Sequence, residues 1–358
     1  MSAQSDSSGL TTQIRLVRVV TIVCYIVALS LTPHLWLSER FYALSPVSSL
    51  LPNLTPPIDH ICYLLLMMIP LGGLIERYSK FCLRASALSF LLYSLWDQQR
   101  WVPFFYHFAA LMMVLSFANL GREEEQRNNE RNSDVLRSCA LILAGTYLWS
   151  GIQKFNILFF TNVVPWMLRS YLPYDALPAE LATGIAFIFG TCGAVGETLL
   201  GLGLAQVKWQ RKAVVLGLLL HCFVLGSVGP SGHNFNTQVW GWNIGSMVML
   251  VVLFRNGLVI PREWFRLQAP RFGAAVVLFF WFLPSLNLIG LWDDYLSMTL
   301  YSGNTESGFI AFDTEAGKTL PASLQPVFRP YTQRMASYFG DKRELSSGPT
   351  SYFSFRDW

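Results

Sequence analysis

The sequence predicts an all-α polytopic membrane bundle of about nine transmembrane helices, followed by a small β-rich extramembrane tail. Three observations predict it. The 358 residues are 53% hydrophobic and only 13% charged, roughly half the charged share of a soluble domain. Apolar runs near the ~20 residues that a bilayer requires recur from end to end. The basic residues also alternate between successive loops, 16 on one set and 4 on the other, and that bias places the N-terminus in the cytoplasm.

Residues 1–10 are polar and Ser-rich and read as disordered. The first segment, 14–32, begins at Arg15 and Arg18; no small-x-small site follows its apolar core, so it reads as an uncleaved anchor. Segments 58–75 and 81–96 flank Arg77 and Lys80, and segment 101–119 follows the turn Asp97-Gln-Gln-Arg100. That turn is either an ion pair fixing a hairpin or a polar pair lining a cavity mouth. The charge-dense stretch 121–132 reads as a solvated linker. Segment 136–154 ends on Lys154, and residues 156–173 are aromatic and interfacial or re-entrant. Segment 181–206 is rich in glycine and alanine, which lets helices approach closely, so it is predicted to lie centrally. Segments 213–230, 237–254 and 272–290 complete the set.

Residues 1–290 thus form the membrane domain and 291–358 an extracytoplasmic tail. In the tail, residues 295–301 alternate apolar and polar side chains as a strand would, and residues 308–313 read as a second strand. The six cysteines form no CxxC pair and read as buried structural thiols. The five histidines show no metal-ligand spacing, so no metal site is expected. No Gly-rich phosphate loop or basic tract with interleaved aromatics points to nucleic acid.

Ionisable groups at membrane depth are costly and mark sites by default. Lys154 is the first, either as a general base or as an amine snorkelling to the headgroups. Counting ~1.5 Å per residue from the intervening basic turn puts Glu197 and His221 at similar heights in consecutive segments. They are expected to meet, as a polar pin or as a proton relay. The uncharged run from Gly229 to Asn243 contains Asn234, Asn236, Trp240 and Asn243. It forms either helix caps and an aromatic belt, or a neutral hydrogen-bonding cradle for an amphipathic ligand.

The run Tyr147-Leu-Trp-Ser-Gly151-Ile-Gln-Lys154, followed by an aromatic stretch with Trp166, resembles the membrane domain of the vitamin K-dependent γ-carboxylase family, the horizontally transferred transmembrane domain (HTTM). The Gly-rich helix with Glu197, a basic turn and His221 follow in similar order. The carboxylase's Phe-Ser-Trp-Arg-like element after the last helix is replaced here by residues 295–301. The resemblance implies an enzyme of lyase or oxidoreductase type acting on a vitamin K-like hydroquinone, with Lys154 as base and Glu197 and His221 in support. Tyr147, Asn234, Asn236, Trp240, Asn243, Asp97 and Arg100 are the candidates for holding the head group. The expected partners are a membrane lipid or prenyl quinone, and a membrane or periplasmic protein. A non-catalytic lipid-binding subunit is the alternative. A transporter is disfavoured because no inverted repeat shows in the helix pattern.

Overall fold

The structure is a computed structural model that describes residues 2–38, 44–120 and 125–303, and beyond these only 309–313, 319, 329–330 and 350–354. Two compact units divide the chain: Met1–Ser38 with Leu44–Asn304, and Glu39–Ala43 with Thr305–Trp358.

The first unit is helical. Its elements are α1 (Ser2–Leu31), the one-turn α2 (Pro33–Trp36), α3 (Ile58–Gly72), α4 (Glu76–Ser94), α5 (Pro103–Leu115), α6 (Glu125–Ile152), the short α7 (Val164–Leu168), α8 (Ala179–Leu204), α9 (Val207–Val228), α10 (Gln238–Phe254) and α11 (Arg271–Val277). Among the described residues, five stretches are long and apolar enough to cross a membrane: Gly9–Leu31, Asn128–Ile152, Ala179–Leu204, Val207–Val228 and Arg271–Ile289. The chain is therefore a multi-pass membrane protein built from α-helices, which satisfy their own backbone where no water can. Helices α3, α5 and α10 are apolar but shorter. The last stretch changes from α-helix to a π turn at Leu278–Phe282 and a 3-10 turn at Leu283–Ile289, where Pro284 supplies no N–H.

Helix α6 is the centre of the bundle: 89% of its apolar stretch is buried, against 28% for α8. The prediction of a central Gly-rich helix is thereby corrected. The small residues of α8 serve one face only. A Cβ at Gly201 would stand 2.6 Å from the Ala144 carbonyl oxygen of α6, so the two backbones nearly touch. The other face carries exposed Phe187, Ile188 and Leu199, as suits a helix against lipid.

Other local differences have plain causes. Helix α1 extends back to Ser2 through residues expected to be disordered. Helix α6 starts at Glu125, inside the stretch read as a linker. Asparagine amides explain the second case: Asn132 Oδ1 accepts from the Asn119 N–H at 2.8 Å, and Asn119 Nδ2 donates to Asn128 Oδ1 at 2.7 Å. The turn is stapled to the helix despite its charge; residues 121–124 lie outside the described ones. Of the cysteines, Cys139 is buried but Cys192 and Cys222 are exposed, so not all are core thiols.

Residues 295–301 are not a strand. They begin with a 3-10 turn at Tyr295–Ser297, and Met298 and Tyr301 take left-handed φ values of 64° and 50°. Ser297, Met298, Thr299 and Ser302 are all buried. The alternation in sequence reflects a segment covered on both sides, not a sheet face. This segment belongs to the helical unit, which runs past residue 290 to Asn304. In the second unit, β1 (Phe309–Asp313) and β2 (Arg329–Pro330) each pair antiparallel with β3 (Thr350–Ser354). The rest of the expected β-rich tail lies outside the described residues.

Candidate functional site

A cavity of about 300 Å³ opens among α6, α8, α9 and α10. Helix α6 contributes Thr146, Tyr147, Ser150 and Lys154, whose spacing places them on one helical face. Helix α8 contributes Gly193, Gly196 and Glu197; α9 contributes His221; α10 contributes Trp242 and Asn243. Phe159, Val164 and Met167 close it from the aromatic stretch after α6, and Leu300 and Tyr301 close it from the segment after the last apolar stretch. Its walls are otherwise largely aliphatic and aromatic.

Lys154 is not a lone amine. Its Nζ lies 2.6 Å from Glu197 Oε2 and donates to the Ser150 carbonyl at 3.0 Å and to Ser150 Oγ at 2.9 Å. A longer contact reaches the Leu300 carbonyl at 3.4 Å. Gly151 makes the ion pair reachable. A Cβ there would crowd Thr198 and stand 2.9 Å from the Ala194 carbonyl oxygen, so only glycine lets α6 settle against α8 at this level. The run from Gly151 to Lys154 thus has a mechanical reason within this chain.

His221 forms a second chain of bonds. Asn243 Nδ2 donates to the Val239 carbonyl at 2.7 Å, which leaves Asn243 Oδ1 to accept from His221 Nδ1, also at 2.7 Å. In a neutral imidazole the proton is then on Nδ1, and Nε2 is the acceptor. The Tyr147 hydroxyl lies 2.5 Å from Nε2 and so donates to it. The expected pairing of Glu197 with His221 does not occur. Both groups line the same cavity, as their heights implied, but the lysine cation takes the carboxylate while Asn243 and Tyr147 satisfy both imidazole nitrogens.

The remaining candidates separate clearly. Asn236 acts at one remove, because its Nδ2 donates at 3.0 Å to the hydroxyl of Tyr301, a wall residue. Asn234 and Trp240 are not in the wall. Asn234 adopts a left-handed turn with φ 48°, and its N–H binds the Gly229 carbonyl at 2.9 Å. The Trp240 indole caps the Val228 carbonyl at 3.1 Å. Their loop is tied to the aromatic stretch by His233, which stacks on Trp166 at 4.3 Å and bonds its carbonyl at 2.6 Å.

Asp97 and Arg100 lie in a different place. Arg100 is wholly buried and donates to the carbonyls of Tyr93, Leu35 and Trp36 at 2.7, 3.1 and 3.1 Å. Asp97 caps the following turn by accepting from the Gln99 N–H, and its Oδ2 lies 4.0 Å from Arg100 Nε, a buried ion pair. They fix a hairpin and do not line the cavity.

Sequence reasoning missed Ser150, Trp242, Leu300 and Tyr301. Ser150 sits four residues before Lys154, a spacing that signals contact on a helix. Trp242 lies in the uncharged run from Gly229 to Asn243 but was not picked out within it, and it donates to His107 Nδ1 at 3.1 Å; nothing local marked the two residues after the bundle. No protein-family model, curated protein or solved structure matches the chain.

Proposed function

We propose that this protein binds an amphipathic, hydroxyl-bearing lipid of hydroquinone or prenyl type and moves a proton from its head group. Nine spans, with a cytoplasmic N-terminus and an extracytoplasmic tail, are the topology in which we place this site. The supporting observation is the convergence of an ion pair, Lys154–Glu197, and a hydrogen-bonded chain, Tyr147–His221–Asn243, on one otherwise apolar cavity. A cavity of about 300 Å³ is at the lower end of small-molecule sites. It suits a ring-sized head with its tail directed to lipid. The donors and acceptors sit on α6, α8, α9 and α10, so opposite sides of a ring can be held at once.

Lys154 would pass its ammonium proton to Glu197 across 2.6 Å and, as the free amine, take one from a head-group hydroxyl. Tyr147, oriented by His221 Nε2, would hold the other side of the head. Turnover of a prenyl hydroquinone in proteoliposomes tests this. Lys154→Ala should lower the rate by about 10²–10⁴-fold, and Lys154→Arg should not restore it, because a guanidinium is no base at neutral pH. Full activity in Lys154→Arg would end the base assignment. One observation favours a second reading, a non-catalytic lipid-binding subunit: the Lys154 ammonium is already satisfied by Glu197 and Ser150. Retention of the lipid without turnover, in every variant and in the wild type, would select that reading.

A further inference from the structure

We infer that a second site, separate from the Lys154 cavity, holds one anionic phospholipid. The crevice between α4, α5 and α11 has a volume of about 680 Å³, more than twice that of the first cavity. Leu88, Leu91, Ala110, Met113, Phe117 and Phe279 are among its lining residues. Its polar side chains are mostly engaged elsewhere. The Trp101 indole donates to the Ser94 carbonyl at 3.2 Å, and the Tyr106 hydroxyl to the Tyr295 carbonyl at 2.9 Å. Only Ser94 Oγ in that wall lacks a partner among the described residues. Such a wall accepts hydrocarbon and rejects polar solutes.

The head group is indicated by charge. Lys80 and Arg84 precede Ala87, Leu88 and Leu91 at helical spacing on α4, so they continue the crevice-lining stripe toward the helix N-terminus. Arg84 lies over the ring of Phe117, a lining residue, at 5.1 Å, and its Nε donates to Ser116 Oγ at 3.1 Å. Lys80 Nζ donates to Asn119 Oδ1 at 3.0 Å. Neither cation has a carboxylate partner among the described residues. Phe272, stacked on Phe117 at 4.9 Å, brings the start of α11 and Arg271 to the same end. From Arg84 to Leu95 the helix rises about 16 Å, close to half of a ~30 Å hydrocarbon core. The dimensions match the chain of a lipid from one leaflet, with its phosphate at the basic end.

Native mass spectrometry of the full chain released from nanodiscs tests the site, with equal phosphatidylglycerol and phosphatidylcholine as probes. The wild type should retain phosphatidylglycerol in preference. Lys80→Gln with Arg84→Gln should reduce that preference about fivefold per cation removed. Lys208→Gln with Lys212→Gln, an equal loss of charge on α9, should leave it unchanged. Filling the crevice by Ala110→Phe, or from the other wall by Ala275→Phe, should lower retention of both lipids. An unchanged preference in the Lys80/Arg84 variant, an equal loss in the α9 variant, or full retention in both filled variants would overturn the inference.

Discussion

Arg100 and Lys154 are both buried cations near the end of an apolar helix or its turn, and both read as site residues in sequence. Their surroundings differ in kind. The Arg100 fork donates to three backbone carbonyls, stands 4.0 Å from the buried Asp97 carboxylate and sits over the rings of Tyr93 and Trp36 at 4.0 and 5.4 Å. Lys154 meets a carboxylate and a serine and faces a cavity. A guanidinium keeps its proton and Arg100 lines neither cavity, so it is a fixed strut. A carboxylate partner beside open space can exchange a proton. The acidity of the cation and the adjacent volume, not the depth of the charge, separate architecture from chemistry.

The comparison breaks most readily by mutation of the strut. Arg100→Met should destabilise the bundle by about 3–5 kcal/mol, because three buried carbonyls lose their donor and the buried Asp97 carboxylate its counter-charge; thermal unfolding in detergent measures it. The Lys154 pair should behave differently. Replacing both members, Lys154→Met with Glu197→Leu, should leave stability unchanged or raise it by about 1–4 kcal/mol, since isosteric apolar groups avoid the desolvation of two charges. If the double variant unfolds as readily as Arg100→Met, the pair is a strut as well.

A smaller effect lies on the cavity side. Asn243→Ala removes the acceptor that holds the Nδ1 proton of His221 and should cost about 1–3 kcal/mol. It should also release the Tyr147 hydroxyl, seen as a changed hydroxyl signal in difference infrared spectra. The smallest effect lies far from both cations. Hydrogen bonds from Arg18, with its charge and those from Arg15, hold the Glu76 carboxyl below its usual range. A depressed folded-state value means the stabilisation is present above the ordinary pKa of about 4.5 and fades as pH falls through the folded value. Glu76→Gln should flatten that acid limb of the unfolding curve; an unchanged limb would show that the contact does not matter.

The legible parts of the fold were those written in local periodicity. Every expected apolar segment overlaps a helix, but among the described residues only five stretches reach membrane-spanning length and hydropathy, and the helices at Ile58–Gly72, Pro103–Leu115 and Gln238–Phe254 are shorter. The central helix was not legible. Glycine content marks where one face presses on a neighbour, as Gly201 does on Ala144, and says nothing of the other face. In the site, Lys154, Glu197, His221, Tyr147 and Asn243 were readable as polar groups at membrane depth, and all five line one cavity. Their partners were not, because Glu197 lies 43 positions from Lys154 and helix rotation decides which neighbour it meets. Tyr301 and Leu300 were hidden in a segment whose alternation imitates a strand.

The cavity beside Lys154 and Glu197 is proposed to hold an amphipathic, hydroxyl-bearing lipid. The most direct test is mass spectrometry of the prenyl-type lipids retained by the purified protein, wild type against the Lys154→Met, Glu197→Leu double variant. The wild type should retain such a lipid and the folded double variant should lose it. Equal retention in both, or bulk phospholipid alone on the wild type, would contradict the claim.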